Sequence, residues 1–237
     1  MAAQGVTLSP NGPKGKPEPR MVTTPTPPDR SAAILEICRL APVIPVLVID
    51  DIAHARPLAE ALVAGGLPVL EVTLRTPAAI GAIKAMSQVP GAVVGAGTVL
   101  RGADIEAARA AGARFCVAPG ATDALLTAAE ASGLPFLPGA ATASEAMALS
   151  ERGYGVQKFF PAGAAGGTAF LQGINGPLPH LRFCPTGGIG PETVARYLAL
   201  PNTVCVGGSW VAPRDALAAG DWERITELAR HAASLRA

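Results

Sequence analysis

The sequence predicts an α/β fold, a (β/α)8 TIM barrel with one extra N-terminal helix. From Ser31 onward, short apolar segments rich in β-branched residues alternate with alanine-rich amphipathic segments, the pattern of repeated βα units. The strand candidates are almost wholly apolar, which is typical of a parallel sheet covered on both faces. Eight strands in roughly 205 residues, with no G-x-G-x-x-G after the first, favour a barrel over an open doubly wound sheet.

The eight strands are expected at regular intervals. Their centres recur about every 20–26 residues, which leaves room for a helix in each gap. A helix over residues 31–40 precedes the first strand, and another over about 221–235 closes the chain. In chain order, the strand candidates are residues 43–49, 69–75, 92–99, 114–119, 135–139, 156–162, 181–188 and 203–210.

Local signals mark the ends of several helices. Thr76 followed by Pro77 predicts a helix that Thr76 caps and that begins with proline. Thr142 and Glu145 have the T-x-x-E spacing of a capping box. The glycines found where helices should end are Gly112, Gly133 and Gly153.

The first 30 residues differ in composition from the rest. They are rich in Pro, Gly and Thr and have no apolar periodicity. This composition predicts a disordered tail over residues 1–30, followed by one barrel domain over residues 31–237. The tail lacks the apolar core of a secretory signal, and no apolar run of about 18 residues could span a bilayer.

Composition and charge exclude several classes of function. The chain of 237 residues is 49% hydrophobic and has a formal net charge of +1, so neither nucleic acid nor a membrane is an expected partner. Its four cysteines show no C-x-x-C spacing, which indicates reduced thiols and a cytoplasmic location. The histidines have no metal-ligand spacing, and no carboxylate cluster suits Mg²⁺, so we expect no metal.

The segment LEVTLR, residues 70–75, carries charge inside an apolar strand. With period-two alternation, Glu71, Thr73 and Arg75 share one face, which should point into the barrel because the other face packs beneath helices. The pattern indicates a functional carboxylate and arginine. The alternative is an interior ion pair between Glu71 and Arg75, with little net effect on stability.

Lys158 is the most informative residue of the chain. It is one of only four lysines and lies in an apolar strand candidate beside Phe159 and Phe160. Burial, with a cation such as Arg75 nearby, would favour the uncharged amine that a Schiff-base nucleophile requires. The alternative is a lysine at the strand end whose ammonium reaches solvent. Lys84 lies on the polar face of a predicted helix, where it should be solvated.

Two glycine-rich segments end the last two strands. Residues 184–192 read CPTGGIGPE, and residues 205–210 read CVGGSW. Glycine lets backbone amides approach an anion, and Pro191 should begin a helix whose N-terminus favours negative charge. Barrels commonly bind phosphate at these two loops. Since Thr186 and Ser209 can add hydroxyl donors, we expect a phosphorylated ligand.

Six segments together resemble the bacterial 2-keto-3-deoxy-6-phosphogluconate (KDPG) aldolase family. In order, they read VLEVTLRT, VGAGTVL, LPGAATASE, KFFPA, RFCPTGGI and VGGSW, and the similarity runs from about residue 32 to the C-terminus. Some members of the family also cleave 4-hydroxy-2-oxoglutarate (KHG). The resemblance implies a class I aldolase barrel, a homotrimer without a cofactor, that cleaves the phosphorylated keto acid of the Entner–Doudoroff pathway into pyruvate and glyceraldehyde 3-phosphate.

The resemblance also implies roles for individual residues. By match to KFFPA, Lys158 would form the imine. By match to EVTLR, Glu71 would be the general acid and base, and Arg75 would bind the pyruvyl carboxylate, assisted by Thr98 of GAGTV. The other residues that would contact substrate are Phe160, Thr186, Gly187, Gly188, Gly207, Gly208 and Ser209.

One segment departs from the family pattern. After KFFPA, members commonly read E-A-N-G-G, whereas this chain reads GAAGG, with Gly163 and Ala165 in place of the polar residues. The change leaves the imine-forming lysine in place. It bears on which distal groups of the substrate are preferred.

Two other functions stay open at the level of sequence. A barrel isomerase or epimerase of a sugar phosphate would share the glycine loops but would need no buried lysine. A non-catalytic protein that binds a phosphorylated ligand would contain Lys158 and Glu71 only as an ion pair.

Overall fold

A computed structural model describes residues 30–235 as an α/β fold with parallel strands. The predicted disordered tail, apart from Arg30, lies outside the described residues. The strands are β1 (Val43–Leu47), β2 (Val69–Thr73), β3 (Val93–Gly97), β4 (Phe115–Val117), β5 (Phe136–Leu137), β6 (Gly139–Ala140), β7 (Val156–Phe159), β8 (Arg182–Pro185) and β9 (Val206–Gly208). The helices are α1 (Ala32–Arg39), α2 (Ala55–Ala64), α3 (Ala79–Met86), α4 (Gly102–Ala110), α5 (Asp123–Ser132), α6 (Ala143–Glu151), α7 (Gly167–Asn175), α8 (Val194–Leu198), α9 (Arg214–Ala219) and α10 (Trp222–Ala233).

The strands form two parallel sheets. The larger has the order β5-β4-β3-β2-β1-β9, and the smaller has the order β6-β7-β8. Isolated bridges pair Phe183 with Thr203 and Thr186 with Gly207, so the chain at β8 also contacts the chain at β9. Within each sheet the carboxyl ends of the strands lie along one edge, because neighbouring strands are parallel.

The fifth predicted strand, residues 135–139, is divided into two. β5 and β6 lie on either side of Pro138, which has no amide hydrogen to donate to a neighbouring strand. The carbonyl of Pro138 still accepts a hydrogen bond from the amide of Lys158 at 2.8 Å. The prediction of one uninterrupted strand is therefore wrong, but the segment remains aligned with β7.

Several predicted helix boundaries are confirmed. Thr142 accepts from the amide of Glu145 at 3.3 Å, and the Glu145 carboxylate accepts from the amide of Thr142 at 2.9 Å, which completes the capping box of α6. The hydrogen bond from the Ala141 amide, with those from Thr142, lowers the pKa of Glu145. Left-handed glycines follow α4, α5 and α6 as predicted, at Gly112, Gly133 and Gly153.

Two other helix boundaries were predicted wrongly. Helix α3 begins at Ala79, because the hydroxyl of Thr76 donates to the carbonyl of Ile49 beyond β1 instead of capping the helix. Pro191 does not begin a helix, since the Thr193 amide donates to the Gly190 carbonyl in a turn and α8 starts after it. The hydroxyls of Thr76 and Thr193 both donate to backbone carbonyls outside the helix, which the sequence pattern does not reveal.

The four cysteines are free and buried, as predicted. Cys38 on α1 packs with Cys184 and Cys205 in a small apolar cluster separate from the main core. Hydrogen bonding to the Cys184 and Cys38 thiols raises the pKa of Cys205, and burial raises the pKa of Cys116 to about 12. Neither thiol is therefore ionised at neutral pH. Among residues 30–235, no helix has both the length and the apolar character to cross a membrane.

Candidate active site

Lys158 and Glu71 meet between the two sheets. Glu71 extends from the middle of β2 in the larger sheet, and Lys158 extends from β7 in the smaller one. The Lys158 Nζ donates to the Glu71 Oε1 at 3.1 Å. The two residues are 5% and 3% exposed, respectively. Since an isolated buried charge is costly, each group compensates the burial of the other.

This contact decides between the alternatives that the sequence left open for each residue. The lysine does not reach solvent from the strand end, so that alternative is wrong. Glu71 pairs with Lys158 and not with Arg75, so the alternative of a Glu71–Arg75 ion pair is also wrong. The charged neighbour of the amine is therefore a carboxylate, whereas we expected the cation of Arg75.

One aromatic ring lies near the buried amine, and a second anchors its strand. The Lys158 Nζ lies 5.3 Å from the ring centroid of the half-buried Phe160, within cation–π distance. Phe159 points to the opposite face of β7, where its ring stacks on Phe170 with centroids 4.6 Å apart. The lysine strand is thus anchored in the core on one face and carries the amine on the other.

Glycine at position 97 makes room for the Glu71 carboxylate. A Cβ atom built at Gly97 would overlap the Oε1, Cγ and Cδ atoms of Glu71. The carboxylate therefore lies directly over the end of β3, where any side chain would displace it. Gly97 was not predicted as a site residue, although it belongs to the GAGT segment.

We expect Gly97→Ala to lower the free energy of unfolding by about 1–3 kcal/mol, the usual cost of overpacking, because the new methyl group pushes Glu71 away from Lys158. Urea unfolding measures the change. The matched control is Gly173→Ala, because Gly173 is exposed within α7 and no atom lies within 4 Å of its Cβ position. Alanine there should raise the free energy of unfolding by about 0.4–1 kcal/mol. Equal stability of wild type and Gly97→Ala would show that Glu71 can move at no cost.

Arg75 lies just beyond the end of β2 and is not part of the buried group. β2 ends at Thr73, and the Arg75 amide turns back to donate to the Thr73 carbonyl, so the strand alternation stops before Arg75. The arginine is exposed, which corrects the expectation of an interior position. Its Nε donates to the Thr73 Oγ1 at 3.1 Å, and the Thr73 hydroxyl donates to the Leu47 carbonyl at 2.8 Å. Buried Thr73 thereby orients the guanidinium.

Arg75 and Ser209 line one cavity of about 380 Å³ at the carboxyl ends of β1, β2 and β9. Trp210 forms part of its wall. The indole packs against Gly208, where a Cβ atom would overlap the ring. Trp210 was not predicted as a site residue, although its signal is present in the sequence, since a glycine two residues earlier leaves space for the ring.

The remaining predicted residues lie in loops after β3 and β8 and in β9. Gly187 and Gly188 have φ angles of 98° and 74°, which only glycine adopts easily. Thr186 is buried, and its hydroxyl occupies the space that a Cβ atom of Gly207 would need. Thr98 has a φ of 57°, a left-handed conformation that is costly for a β-branched residue.

The structure brings the predicted residues together in two groups. Lys158, Glu71 and Phe160 form a buried group around the amine, and Arg75 and Ser209 share the open cavity. The first group offers a nucleophilic amine beside a proton acceptor, and the cavity offers cationic and hydroxyl groups for an anionic ligand. Within the described part of the chain, no group of three or more His, Cys, Asp or Glu residues is suited to a metal ion.

The chain is similar to proteins of one enzyme family. The family model of KDPG and KHG aldolases matches residues 34–228. The chain is 54% identical over 192 residues to the 2-dehydro-3-deoxy-phosphogluconate aldolase of Pseudoalteromonas atlantica, covering 81% of this chain and 89% of that protein. It is 52% identical over 197 residues to the KHG/KDPG aldolase of Escherichia coli, covering 83% and 92%. Its fold is similar to the crystal structure of the KDPG aldolase of Legionella pneumophila, in which pyruvate is captured as a covalent carbinolamine intermediate. The TM-score is 0.82 at 48% sequence identity, and the match covers 84% of this chain and 97% of that chain.

Proposed function

Because the chain belongs to the KDPG and KHG aldolase family, we propose that it is a class I aldolase that cleaves 2-keto-3-deoxy-6-phosphogluconate into pyruvate and glyceraldehyde 3-phosphate. The observation that carries this proposal is the buried contact of 3.1 Å between Lys158 Nζ and Glu71 Oε1. A lysine and a carboxylate in an apolar interior are the two groups that imine formation and proton transfer require.

The first half of the reaction forms the imine. Lys158 reacts as the free amine, after its ammonium has released a proton to water. The amine attacks the C2 ketone to give a carbinolamine, whose hydroxyl takes up a proton from water and leaves as water. The product is a protonated imine, the electron sink for the next step, and Glu71 remains a carboxylate. The Legionella pneumophila relative, in which pyruvate is captured as a carbinolamine, supports this sequence of steps.

The second half breaks the carbon–carbon bond. The Glu71 carboxylate removes the proton of the C4 hydroxyl, the C3–C4 electron pair moves into the imine, and glyceraldehyde 3-phosphate leaves. The enamine that remains takes a proton at C3 from Glu71. Hydrolysis of the resulting pyruvyl imine then releases pyruvate and restores the Lys158 amine.

Residues outside the buried pair are proposed to anchor the two ends of the substrate. Arg75, oriented by Thr73, binds the pyruvyl carboxylate, and Thr98 assists it. The phosphate is held beside Ser209, where glycine lets the backbone approach an anion. The remaining substrate-binding residues proposed are Phe160, Thr186, Gly187, Gly188, Gly207 and Gly208.

A second substrate is favoured by one relative. The Escherichia coli protein, 52% identical to this chain, is named a KHG/KDPG aldolase. We propose that this chain also cleaves KHG, which yields pyruvate and glyoxylate by the same imine chemistry. KHG carries a carboxylate where KDPG carries its phosphorylated end, so the distal group would rely less on the glycine loops.

We also propose that the two sheets close into one (β/α)8 barrel, with β5 and β6 as a single strand interrupted at Pro138. The bridges from Phe183 to Thr203 and from Thr186 to Gly207 support closure on the other side. A homotrimer in the cytoplasm is proposed from the family resemblance and from the buried, free cysteines.

Reductive trapping tests the proposed function. The protein is incubated with pyruvate and reduced with borohydride, and the modified peptide is mapped by mass spectrometry. We expect one adduct per chain, on Lys158, together with release of pyruvate from KDPG in an activity assay. An unmodified protein that still binds or isomerises a sugar phosphate would favour an isomerase, an epimerase or a binding protein instead.

A further inference from the structure

A separate cavity of about 330 Å³ lies between the loop after β7 and helix α8. Arg196 is the charged residue of its lining, and no carboxylate of the described residues lines it. The Arg196 side chain is exposed and forms no ion pair with any residue in the range 30–235. A cavity with one unpaired cation and no acidic group favours an anionic ligand.

The N-terminus of helix α7 opens into this cavity. Its capping residue, Gly166, has a φ of 106° and no side chain to accept from the helix amides. Thr168 and Ala169 line the cavity, and their amides donate to no acceptor in the described part of the chain. Free amides at a helix N-terminus, together with the helix dipole, bind anions such as phosphate.

Tyr197 provides an independent sign of a ligand. The residue is only 6% exposed and lines the same cavity. Its hydroxyl lies 3.2 Å from the position that a Cβ atom of Gly167 would take, at the first residue of α7. Among the described residues this hydroxyl has no hydrogen-bond partner, and it is open to the cavity while the rest of the side chain is buried. A ligand in the cavity would supply the missing partner.

We propose that this cavity binds a phosphate group, either as inorganic phosphate or as a small phosphate monoester. Arg196 supplies the charge, the Tyr197 hydroxyl donates a hydrogen bond, and the amides of Thr168 and Ala169 complete the site. This site differs from the one that holds the substrate phosphate beside Ser209, and it does not depend on the aldol reaction. It adjoins the glycine loop after β8, because the Gly163 amide donates to the Gly187 carbonyl at 2.9 Å.

Gly163 allows a sharp test of the proposed charge preference. It is exposed, lines the cavity and has no positive φ, and the nearest atom to its Cβ position is the Gly187 carbonyl oxygen at 3.4 Å, an ordinary contact. A side chain therefore fits at this position, which is also one of the two departures from the family pattern. Gly163→Glu adds a carboxylate beside the cavity, and Gly163→Gln adds a side chain of the same size without charge.

Isothermal titration with inorganic phosphate measures the site. We expect wild type to bind phosphate at two sites per chain, of which Ser209→Ala weakens one. At the second site, Arg196→Gln should weaken phosphate binding roughly tenfold or more because a charged hydrogen bond is lost, and Gly163→Glu should do the same because its carboxylate repels phosphate. Gly163→Gln should bind phosphate at this site like wild type. Tyr197→Phe should weaken that site in the same direction. Titration of the Ser209→Ala variant with glycerol 3-phosphate then distinguishes a monoester site from one limited to free phosphate.

Two results would overturn the proposal. One is a single phosphate site that Ser209→Ala removes and that Arg196→Gln and Gly163→Glu leave unchanged. The other is a second phosphate site whose affinity for phosphate falls equally in Gly163→Glu and Gly163→Gln, since the size of the new side chain would then explain the loss without its charge. Pyruvate trapping on Lys158 is measured in parallel, so failure of this site and failure of the aldolase proposal are distinguishable.

Discussion

Replacement of Lys158 by methionine is expected to abolish pyruvate trapping and to lower turnover of KDPG by about 10⁴-fold or more, the scale seen when a covalent nucleophile is lost. Methionine has a similar length but no amine, so neither the carbinolamine nor the imine can form. The change also leaves the Glu71 carboxylate buried without its partner, which can cost about 3–5 kcal/mol. Borohydride trapping and a pyruvate-release assay measure the chemical effect.

Two further variants separate chemistry from folding. Lys158→Arg keeps a cation beside Glu71, yet a guanidinium is too weak a nucleophile to form an imine, so this variant should fold better than Lys158→Met and stay inactive. Lys84→Met removes an exposed lysine from α3 and should trap pyruvate like wild type. Trapping that persists in folded Lys158→Arg would remove Lys158 from the mechanism.

The central pair of the candidate site could be predicted from sequence, because its signal is local. Lysine and glutamate are unusual within apolar strands, and strand alternation already puts Glu71 on the face opposite Val72. That the two residues touch could not be predicted from the strands themselves. The contact joins residues 87 positions apart and depends on how the two sheets face each other, which is a tertiary property.

The errors arose where long-range contacts outweigh local signals. Arg75 continues the alternating pattern in the sequence, but the chain turns after Thr73 and leaves the arginine exposed. Thr76 is a good capping residue by type, yet its hydroxyl is used by the Ile49 carbonyl from the neighbouring βα unit. Regular strand spacing predicted the parallel α/β fold well, since each repeat carries the same pattern.

The cavity at Arg196 illustrates the same limit for a site. Tyr197 and Arg196 lie on the short helix α8, where an isolated tyrosine is most simply interpreted as part of the core. Only the fold reveals that the Tyr197 hydroxyl lies beside the first residue of α7 without a partner among the described residues. The local signal is Gly163, which departs from the family pattern in the sequence and lines the cavity in the fold.

Glu71→Gln is expected to separate imine formation from carbon–carbon cleavage. Glutamine has the same shape and can still accept a hydrogen bond from Lys158, but it cannot take up a proton. Pyruvate trapping should therefore persist, while turnover of KDPG falls by about 10²–10⁴-fold, the contribution typical of a general acid or base. The expected asymmetry is specific, because a purely structural defect would lower trapping and turnover together.

The matched control is Glu151→Gln, which changes an exposed glutamate at the end of α6 and should leave both trapping and turnover at wild-type values. Exchange of deuterium from solvent into the methyl group of pyruvate adds a second measurement, since that exchange needs a base but no C3–C4 cleavage. We expect it to slow in Glu71→Gln along with turnover. Wild-type exchange and turnover in that variant would mean that another group moves the proton and that Glu71 serves only to hold the lysine in place.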